Sequence, residues 1–141
     1  MLEHQVAKSF EAMNRRDLEA VMAHWRDDAV FEFPGHTRIS GRHEGKAAVR
    51  EFFATLFDAL ASMHFTVQHV GFANPVTLTW SNVIYVDWIV DDTARDGRTH
   101  HNEGISRMTF RSGKLVEVRD YFFDLAALEA FVNGTPATAA V

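Results

Sequence analysis

Residues 76–90 read VTLTWSNVIYVDWIV, and apolar and polar side chains alternate along them. The even positions are apolar apart from Asn82. Polar residues occupy four of the odd positions: Thr77, Thr79, Ser81 and Asp87. Because successive side chains of a β-strand point to opposite faces, this alternation predicts one long strand with a single buried face. The neighbouring sequence is therefore expected to supply strands that pair with it.

Three further strands are predicted around the long one. Residues 65–68 alternate in the same way on its N-terminal side, and residues 91–97, DDTARDG, turn the chain after it. Residues 98–110 then return, Ser112 and Gly113 make a tight turn, and residues 114–123 form the last strand. The second half of the chain is thus predicted to be an antiparallel meander.

Helical spacing of apolar residues replaces strand spacing in the first half of the chain. A first helix is predicted from the repeat of Leu2, Val6, Phe10 and Met13. Asp17 is the expected N-cap of a second helix. The apolar stripe of that second helix consists of Leu18, Val21, Met22 and Trp25.

A short strand over residues 29–33 follows, and Pro34 and Gly35 end it. Residues 34–45 contain three Gly, one Pro and two His, which is typical of a loop. A third helix begins at about Lys46 and carries the strongest apolar stripe: Val49, Phe52, Phe53, Leu56, Phe57 and Leu60. After the last strand, Asp124 is the expected cap of a short helix over residues 125–131.

Helices that precede an antiparallel meander indicate an α+β fold, with the helices packed on one face of a curved sheet. The 141 residues are 47% hydrophobic, which is enough for one core without a metal or a disulfide. We expect a single domain over residues 1–132 and a flexible tail over residues 133–141.

Composition and charge argue against several classes of function. The chain has no cysteine, which excludes thiol catalysis and disulfide scaffolds. A net charge of −5 without a basic run argues against nucleic acid and anionic membranes as partners. No apolar stretch approaches the roughly 20 residues of a membrane span, and residues 1–10 are too polar for a signal peptide. A cytoplasmic location is the default expectation.

Three stretches together resemble the SnoaL-like branch of the nuclear transport factor 2-like superfamily: residues 17–35, 45–53 and 112–121. The resemblance implies a cone-shaped, cystatin-like α+β barrel in which helices and a concave sheet enclose an apolar pocket. The superfamily contains steroid isomerases, epoxide hydrolases, polyketide cyclases, dehydratases, small-ligand binders and transport adaptors. Because one fold supports all of these functions, the pocket residues have to decide between them.

The resemblance also implies that two copies pair through the outer faces of their sheets. The residues that parity places on the outer face are mixed in character but rather apolar: Thr79, Val83, Tyr85, Ile105, Arg107, Leu115 and Tyr121. We therefore expect a homodimer.

Asp120 is the carboxylate that strand parity carries into the pocket. The last strand places Val116, Val118, Asp120 and Phe122 on one face. Burial among apolar neighbours raises the pKa of a carboxyl group, which suits general acid or base catalysis. The alternative is a structural aspartate held by hydrogen-bond donors.

His100 is the candidate for a second proton-transfer group, because histidine titrates near neutrality and His100 shares the pocket face of the returning strand. A histidine near a strand end can equally be exposed. No metal site is expected, since His100 and the adjacent His101 point to opposite faces.

Other side chains are expected to contact a substrate, although some of the aromatic ones are expected only to fill the core. Parity on the long and returning strands selects Asn82, Asn102, Ser106 and Met108. The aromatic candidates are Trp25, Phe33, Phe52, Phe53 and Trp80.

Two enzyme groups of the superfamily can be compared residue by residue. The positions that match the tyrosine, the base and the oxyanion donor of the steroid isomerases hold Ser9, Phe33 and Ser106, so that chemistry is not expected. In limonene-epoxide-hydrolase-like members Asp120 would match a catalytic carboxylate. Trp80 and Asn82, however, stand where those members carry their arginine and second aspartate.

The sequence therefore predicts a cofactor-independent acid–base enzyme acting on a hydrophobic, oxygenated small molecule. It would be an isomerase, cyclase, lyase or hydrolase in which Asp120 transfers the proton and Asn82, Asn102 or His100 orients the substrate oxygen. The alternative is a non-catalytic binder of a hydrophobic small molecule. A protein-interaction module, as in the transport factor itself, is the weaker third hypothesis.

Overall fold

The structure is a computed structural model that describes residues 2–76 and 80–134. Four helices are found in this part of the chain: α1 (Leu2–Arg15), α2 (Leu18–Met22), α3 (Lys46–Ala59) and α4 (Leu125–Val132). Six strands accompany them: β1 (Trp25–Phe33), β2 (Gly41–Glu44), β3 (Leu60–Phe72), β4 (Asn82–Ala94), β5 (Thr99–Arg111) and β6 (Lys114–Phe122). The predicted α+β class is confirmed.

The six strands form one curved sheet in the order β2-β1-β6-β5-β4-β3. Neighbouring strands are antiparallel except for the parallel pair β1 and β6. The sheet is open, with β2 and β3 at its two edges, so it does not close into the barrel that the resemblance implies. The four described helices pack on one face of the sheet and do not cover the opposite face, which carries the exposed Tyr85 and Tyr121.

Regular alternation along the central strands builds the core. Ile84, Val86, Trp88 and Val90 of β4 are at most 2% exposed, as is Phe110 of β5. The predicted caps are both present, since the carboxylate of Asp17 accepts a hydrogen bond from Ala20 N and that of Asp124 accepts one from Ala127 N.

The second helix is shorter than predicted, because it ends at Met22 and Trp25 begins β1. Arg26, Asp27 and Asp28 form an exposed part of β1. The spacing of Leu18, Val21, Met22 and Trp25 does not show where the helix ends. Trp25 belongs to a strand because it pairs with Leu115 of β6. Part of the predicted loop over residues 34–45 is also a strand, β2, which pairs with β1.

The long strand begins later than predicted. β4 starts at Asn82, Val76 is 90% exposed and Trp80 is 52% exposed, while residues 77–79 lie outside the described part. The Asn82 side chain closes the connection from β3, because its Oδ1 accepts from Asn74 N and its Nδ2 donates to Asn74 O. At the other end, β4 continues to Ala94, through residues that were predicted to turn.

The tight turn between β5 and β6 is confirmed, with positive φ angles at Ser112 (50°) and Gly113 (79°). The register then shifts, because Phe110 pairs with Leu115 whereas Thr109 pairs with Glu117, which leaves Val116 as an extra residue. Leu115 is therefore 1% exposed and packs in the core, so its predicted place on the outer face is wrong. Of the predicted flexible tail, residues 135–141 lie outside the described part of the chain.

Candidate active site

Two adjoining apolar cavities lie between the helices and the concave face of the sheet. The space open to the centre of a water molecule is about 60 Å³ in the first and about 50 Å³ in the second, which is room for several waters. Five side chains line both cavities: Met13, Phe31, Phe53, Phe65 and Asp120. A ligand larger than a few atoms has to displace some of these side chains, and Met13 is the most flexible of them.

Asp120 lies on the wall between the two cavities and is partly buried. Its Oδ1 accepts a hydrogen bond of 2.6 Å from Ser106 Oγ, which in turn accepts one of 3.0 Å from Trp88 Nε1. The indole N–H of Trp88 can only donate, and the single hydroxyl proton of Ser106 is donated to Asp120.

The second oxygen of Asp120, Oδ2, has no hydrogen-bond partner among the described residues. It is not one of the fully buried oxygens that lack a partner, so it remains accessible to the cavities. A proton on Asp120 belongs on Oδ2, since Oδ1 is already an acceptor. Asp120 can therefore present either a donor or an acceptor to a bound molecule from one oxygen.

Burial raises the pKa of Asp120 to about 7, and the hydrogen bond from Ser106 opposes that rise. Apolar side chains surround the carboxyl group, among them Phe31, Met108 and Val118. No Lys or Arg lines either cavity in the described part of the chain. Near neutral pH the carboxyl group is thus present in both its acidic and its basic form.

Asp92 is the other carboxyl group that lines the second cavity, and it was not among the predicted site residues. Its Oδ2 lies 3.2 Å from Nδ1 of His100, and the two side chains are 11% and 2% exposed. Burial is the largest cause of a raised pKa of Asp92, and the hydrogen bond from His100 opposes it. The signal that could have found Asp92 is the even-position parity of β4, which continues past Val90.

Hydrogen bonds fix the tautomer of His100. Asn102 Oδ1 accepts from the backbone N–H groups of Glu103 and Asp124, so its Nδ2 faces His100 Nε2 at 3.1 Å. Nε2 must then accept, and in the neutral ring the proton sits on Nδ1 and is donated to Asp92. His100 also stacks on Phe131, with ring centroids 4.9 Å apart.

The structure separates the predicted site residues into three groups. Those that line the cavities are Asp120, Ser106, Met108, Phe33, Phe52 and Phe53. His100 stands behind the cavity wall and reaches it only through Asp92. The predicted contacts of the remaining four with a substrate are not supported by their positions.

Each of these four residues has a different position or contact that keeps it away from the cavities. Trp25 is 4% exposed and packs against Phe31 and Phe53 in the core. Asn102 donates to Asp124 O and holds the start of α4. Asn82 closes the β3–β4 connection, and Trp80 lies on the surface near it.

Two further features are absent from the described residues. Across residues 2–76 and 80–134, no cluster of three or more His, Cys, Asp or Glu side chains is arranged to hold a metal ion. No helix in that same part of the chain is long and apolar enough to cross a membrane.

Helices on an open, curved sheet, with an apolar cavity between them, form a fold similar to that of solved NTF2-like proteins. The chain belongs to the SnoaL-like domain family, whose model matches residues 6–118. The expected family is therefore confirmed.

Three similar proteins illustrate the range of relatives. The uncharacterized protein YesE of Bacillus subtilis (strain 168) is 26% identical over 140 residues, which cover 93% of this chain and 92% of YesE. Bal32a, from a soil-derived mobile gene cassette, superposes with a TM-score of 0.78 at 20% identity, over 92% of this chain and 95% of Bal32a. TerC, co-crystallised with polyporic acid, gives a TM-score of 0.69 at 22% identity, over 86% and 90% of the two chains. These structural likenesses establish the fold alone.

Proposed function

We propose that this protein is a cofactor-independent acid–base enzyme, an isomerase, cyclase or dehydratase, for a hydrophobic and oxygenated small molecule. The observation that carries the proposal is Asp120, a carboxyl group with a pKa of about 7 on the wall of an apolar cavity. A general acid or base works best when its pKa lies near the pH at which it operates.

The hydrogen bonds of Asp120 suggest how one carboxyl group serves both directions of proton transfer. In its ionised form, Oδ2 takes a proton from a carbon next to a substrate carbonyl, and the electron pair of the broken C–H bond forms the C=C bond of an enolate, whose oxygen carries the negative charge. The proton on Oδ2 then returns to another carbon or to a departing hydroxyl group. Ser106 and Trp88 hold Oδ1 in place throughout.

The lining of the cavities supports a hydrophobic substrate. Apart from Asp120, the side chains that line both cavities are Met13, Phe31, Phe53 and Phe65. They exclude water and so keep the pKa of Asp120 raised. The co-crystallisation of TerC with polyporic acid agrees with a pocket of this fold accepting an organic small molecule.

A non-catalytic binder is the second candidate function. The hydrogen bond between Ser106 and Asp120 favours it, because a fixed carboxyl group among aromatic rings also anchors one polar group of a ligand. The two candidates differ only in whether the bound molecule gains or loses a proton.

Exchange of carbon-bound protons with solvent separates the two candidates. We would incubate 2-tetralone, a hydrophobic ketone, with the protein in D₂O and follow loss of its α-proton signals by NMR. The enzyme hypothesis expects faster exchange than in buffer, and a loss of that acceleration by a factor of roughly 10² to 10⁴ in Asp120→Asn. The matched control Asp27→Asn changes an exposed aspartate of β1 and should leave the rate unchanged.

One outcome would contradict the enzyme hypothesis. Shifts of protein NMR signals would show that 2-tetralone binds, while its α-protons would exchange no faster than in buffer. The binder hypothesis would then take precedence.

The uncovered face of the sheet favours a homodimer. Tyr85 is 45% exposed and Tyr121 is 40% exposed on adjacent regions of that face. Val83 and Ile105 are half-buried beside them. A second copy of the same face would cover these side chains.

A further inference from the structure

Asp92 has a hydrogen-bonding capacity that the protein does not use. Its Oδ2 accepts from His100 Nδ1, but Oδ1 is buried and has no hydrogen-bond partner among the described residues. A buried carboxylate oxygen without a donor costs stability, and native proteins seldom keep one. Because Asp92 lines the second cavity, a bound molecule that displaces the side chains packed over Oδ1 can supply the missing donor.

The neighbours of Asp92 prevent the protein from supplying that donor itself. His100 is held in place by Asn102, whose own amide is fixed by the backbone at the start of α4. His100 also stacks between Phe122 and Phe131, so the ring cannot turn towards Oδ1. The Asp92–His100 pair is thus rigid, unlike a flexible ion pair on the surface, and it leaves Asp92 Oδ1 as a fixed acceptor.

Strand register sets Asp92 and Asp120 far apart along the cavity. Asp92 pairs with His100 and Asp120 pairs with Ser106, and His100 and Ser106 are six residues apart in β5. At about 3.3 Å per residue, that separation is roughly 20 Å along a flat strand, and the curvature of the sheet shortens it between the side chains. A molecule that contacts both carboxyl groups is therefore elongated.

We propose that Asp92 Oδ1 is a second substrate anchor, which binds a hydroxyl group at the far end of an elongated apolar molecule whose reacting end lies at Asp120. The proposal rests on the proposed function for the part that concerns Asp120. The occupant needs a donor at the Asp92 end, because an ionised carboxylate only accepts hydrogen bonds. The apolar middle of the molecule would displace the side chains that now divide the two cavities.

Two probes that differ in one hydrogen-bond donor test this anchor. 4,4′-Dihydroxybiphenyl carries a donor at each end, whereas 4-hydroxy-4′-methoxybiphenyl, which is longer by one methyl group, has only an acceptor at one end. Calorimetric titration at pH 8 should show that wild-type protein binds the dihydroxy probe roughly tenfold more tightly, the value of one hydrogen bond to a charged acceptor.

Single substitutions then locate the two anchors. Asp92→Asn should bring the affinity ratio of the two probes close to one, and Asp120→Asn should do the same if Asp120 is the other anchor. Asp91→Asn is the matched control, because Asp91 is the neighbouring residue of β4, is exposed and pairs with His101. It should leave the tenfold ratio intact.

The outcomes separate this inference from the proposed function. A ratio that survives Asp92→Asn but collapses in Asp120→Asn overturns the second anchor and keeps Asp120. The reverse pattern keeps the second anchor and removes Asp120. Equal affinities in wild-type protein, or no binding of either probe, also overturn the inference. If Asp92→Asn does not fold, the ¹³C signal of the Asp92 carboxyl group in wild-type protein decides, because only the dihydroxy probe should shift it.

Discussion

Ser106 and Asp120 lie directly opposite each other on β5 and β6, with 2.6 Å between Ser106 Oγ and Asp120 Oδ1. Trp88 Nε1 donates to the same Oγ from β4, so three adjacent strands each contribute one group to a single chain of hydrogen bonds. The chain orients the carboxyl group and partly offsets the rise in its pKa that burial causes. Position and acidity of Asp120 are therefore set by the same contacts.

Replacing Ser106 by alanine should raise the pKa of Asp120 above its present value of about 7. The hydroxyl group donates to the ionised form, so its loss leaves only the effect of burial. Titration of the Asp120 ¹³C carboxyl signal by NMR measures the change. Ser9→Ala is the control, because Ser9 lines the same cavity but donates to Gln5 O. A pKa that falls or stays constant in Ser106→Ala would show that the hydrogen bond has been wrongly assigned.

Asp120→Asn should stabilise the protein at alkaline pH. The pKa of Asp120 is raised from 3.8 to about 7 in the folded state, so folding retains a proton that the unfolded chain releases between these values. The penalty for ionising Asp120 is absent below pH 3.8 and grows to at most about 4 kcal/mol above pH 7, from 1.36 kcal/mol per pKa unit.

The asparagine variant never ionises, so it avoids this penalty. Its free energy of unfolding, measured with urea at pH 8, should exceed that of wild-type protein by an amount that vanishes near pH 4. Asp27→Asn provides the baseline for an exposed aspartate of β1. A pH-independent difference between Asp120→Asn and wild type would mean that packing, not charge, governs the site.

The fold and the place of Asp120 could be predicted because both depend on local periodicity. Val118 and Phe122 flank Asp120 at spacing two, and the parity of β6 holds through this region. Leu115 was misplaced because the extra residue Val116 reverses parity at the start of the strand. A bulge of this kind arises from pairing with β5 and leaves no clear signal in the sequence of one strand.

Asp92 was missed for a related reason. Two consecutive aspartates followed by Thr93 favour a turn, but pairing with the long β3 extends β4 to Ala94. Asn102 was predicted to contact a substrate because of the face of β5 on which it lies. Its amide is used by Asp124, 22 residues later, and a contact between distant segments does not follow from spacing.

Tyr85→Arg should convert the predicted homodimer into a monomer. Tyr85 is 45% exposed on the uncovered face of the sheet, and two opposed arginines would bring like charges together in a desolvated interface. Light scattering at micromolar concentration measures the mass directly. Glu11→Arg, on the exposed side of α1, serves as the control for added positive charge. A monomeric mass for wild-type protein would contradict the homodimer itself.

Gly104→Ala should disturb the candidate site from a position that contacts no substrate. Gly104 lies opposite Trp88 in the β4–β5 ladder, and the indole ring occupies the space where a side chain would be. A Cβ at residue 104 would meet Trp88 Cη2 at 2.5 Å and would also collide with the backbone oxygen of Tyr121. Neither the large ring nor the backbone of β6 can yield without losing contacts.

The expected result is a loss of about 1–3 kcal/mol in the free energy of unfolding, together with a displaced indole that no longer donates to Ser106. Chemical denaturation measures the first effect, and the NMR shift of the Trp88 Nε1–H measures the second. Gly71→Ala is the matched control, because it changes a glycine of β3 where a Cβ would meet only Tyr85 O at 4.0 Å. Equal tolerance of Gly104→Ala and Gly71→Ala would contradict this prediction. The position of the Trp88 indole would then not require a glycine at residue 104, and other contacts would hold the hydrogen bonds to Asp120.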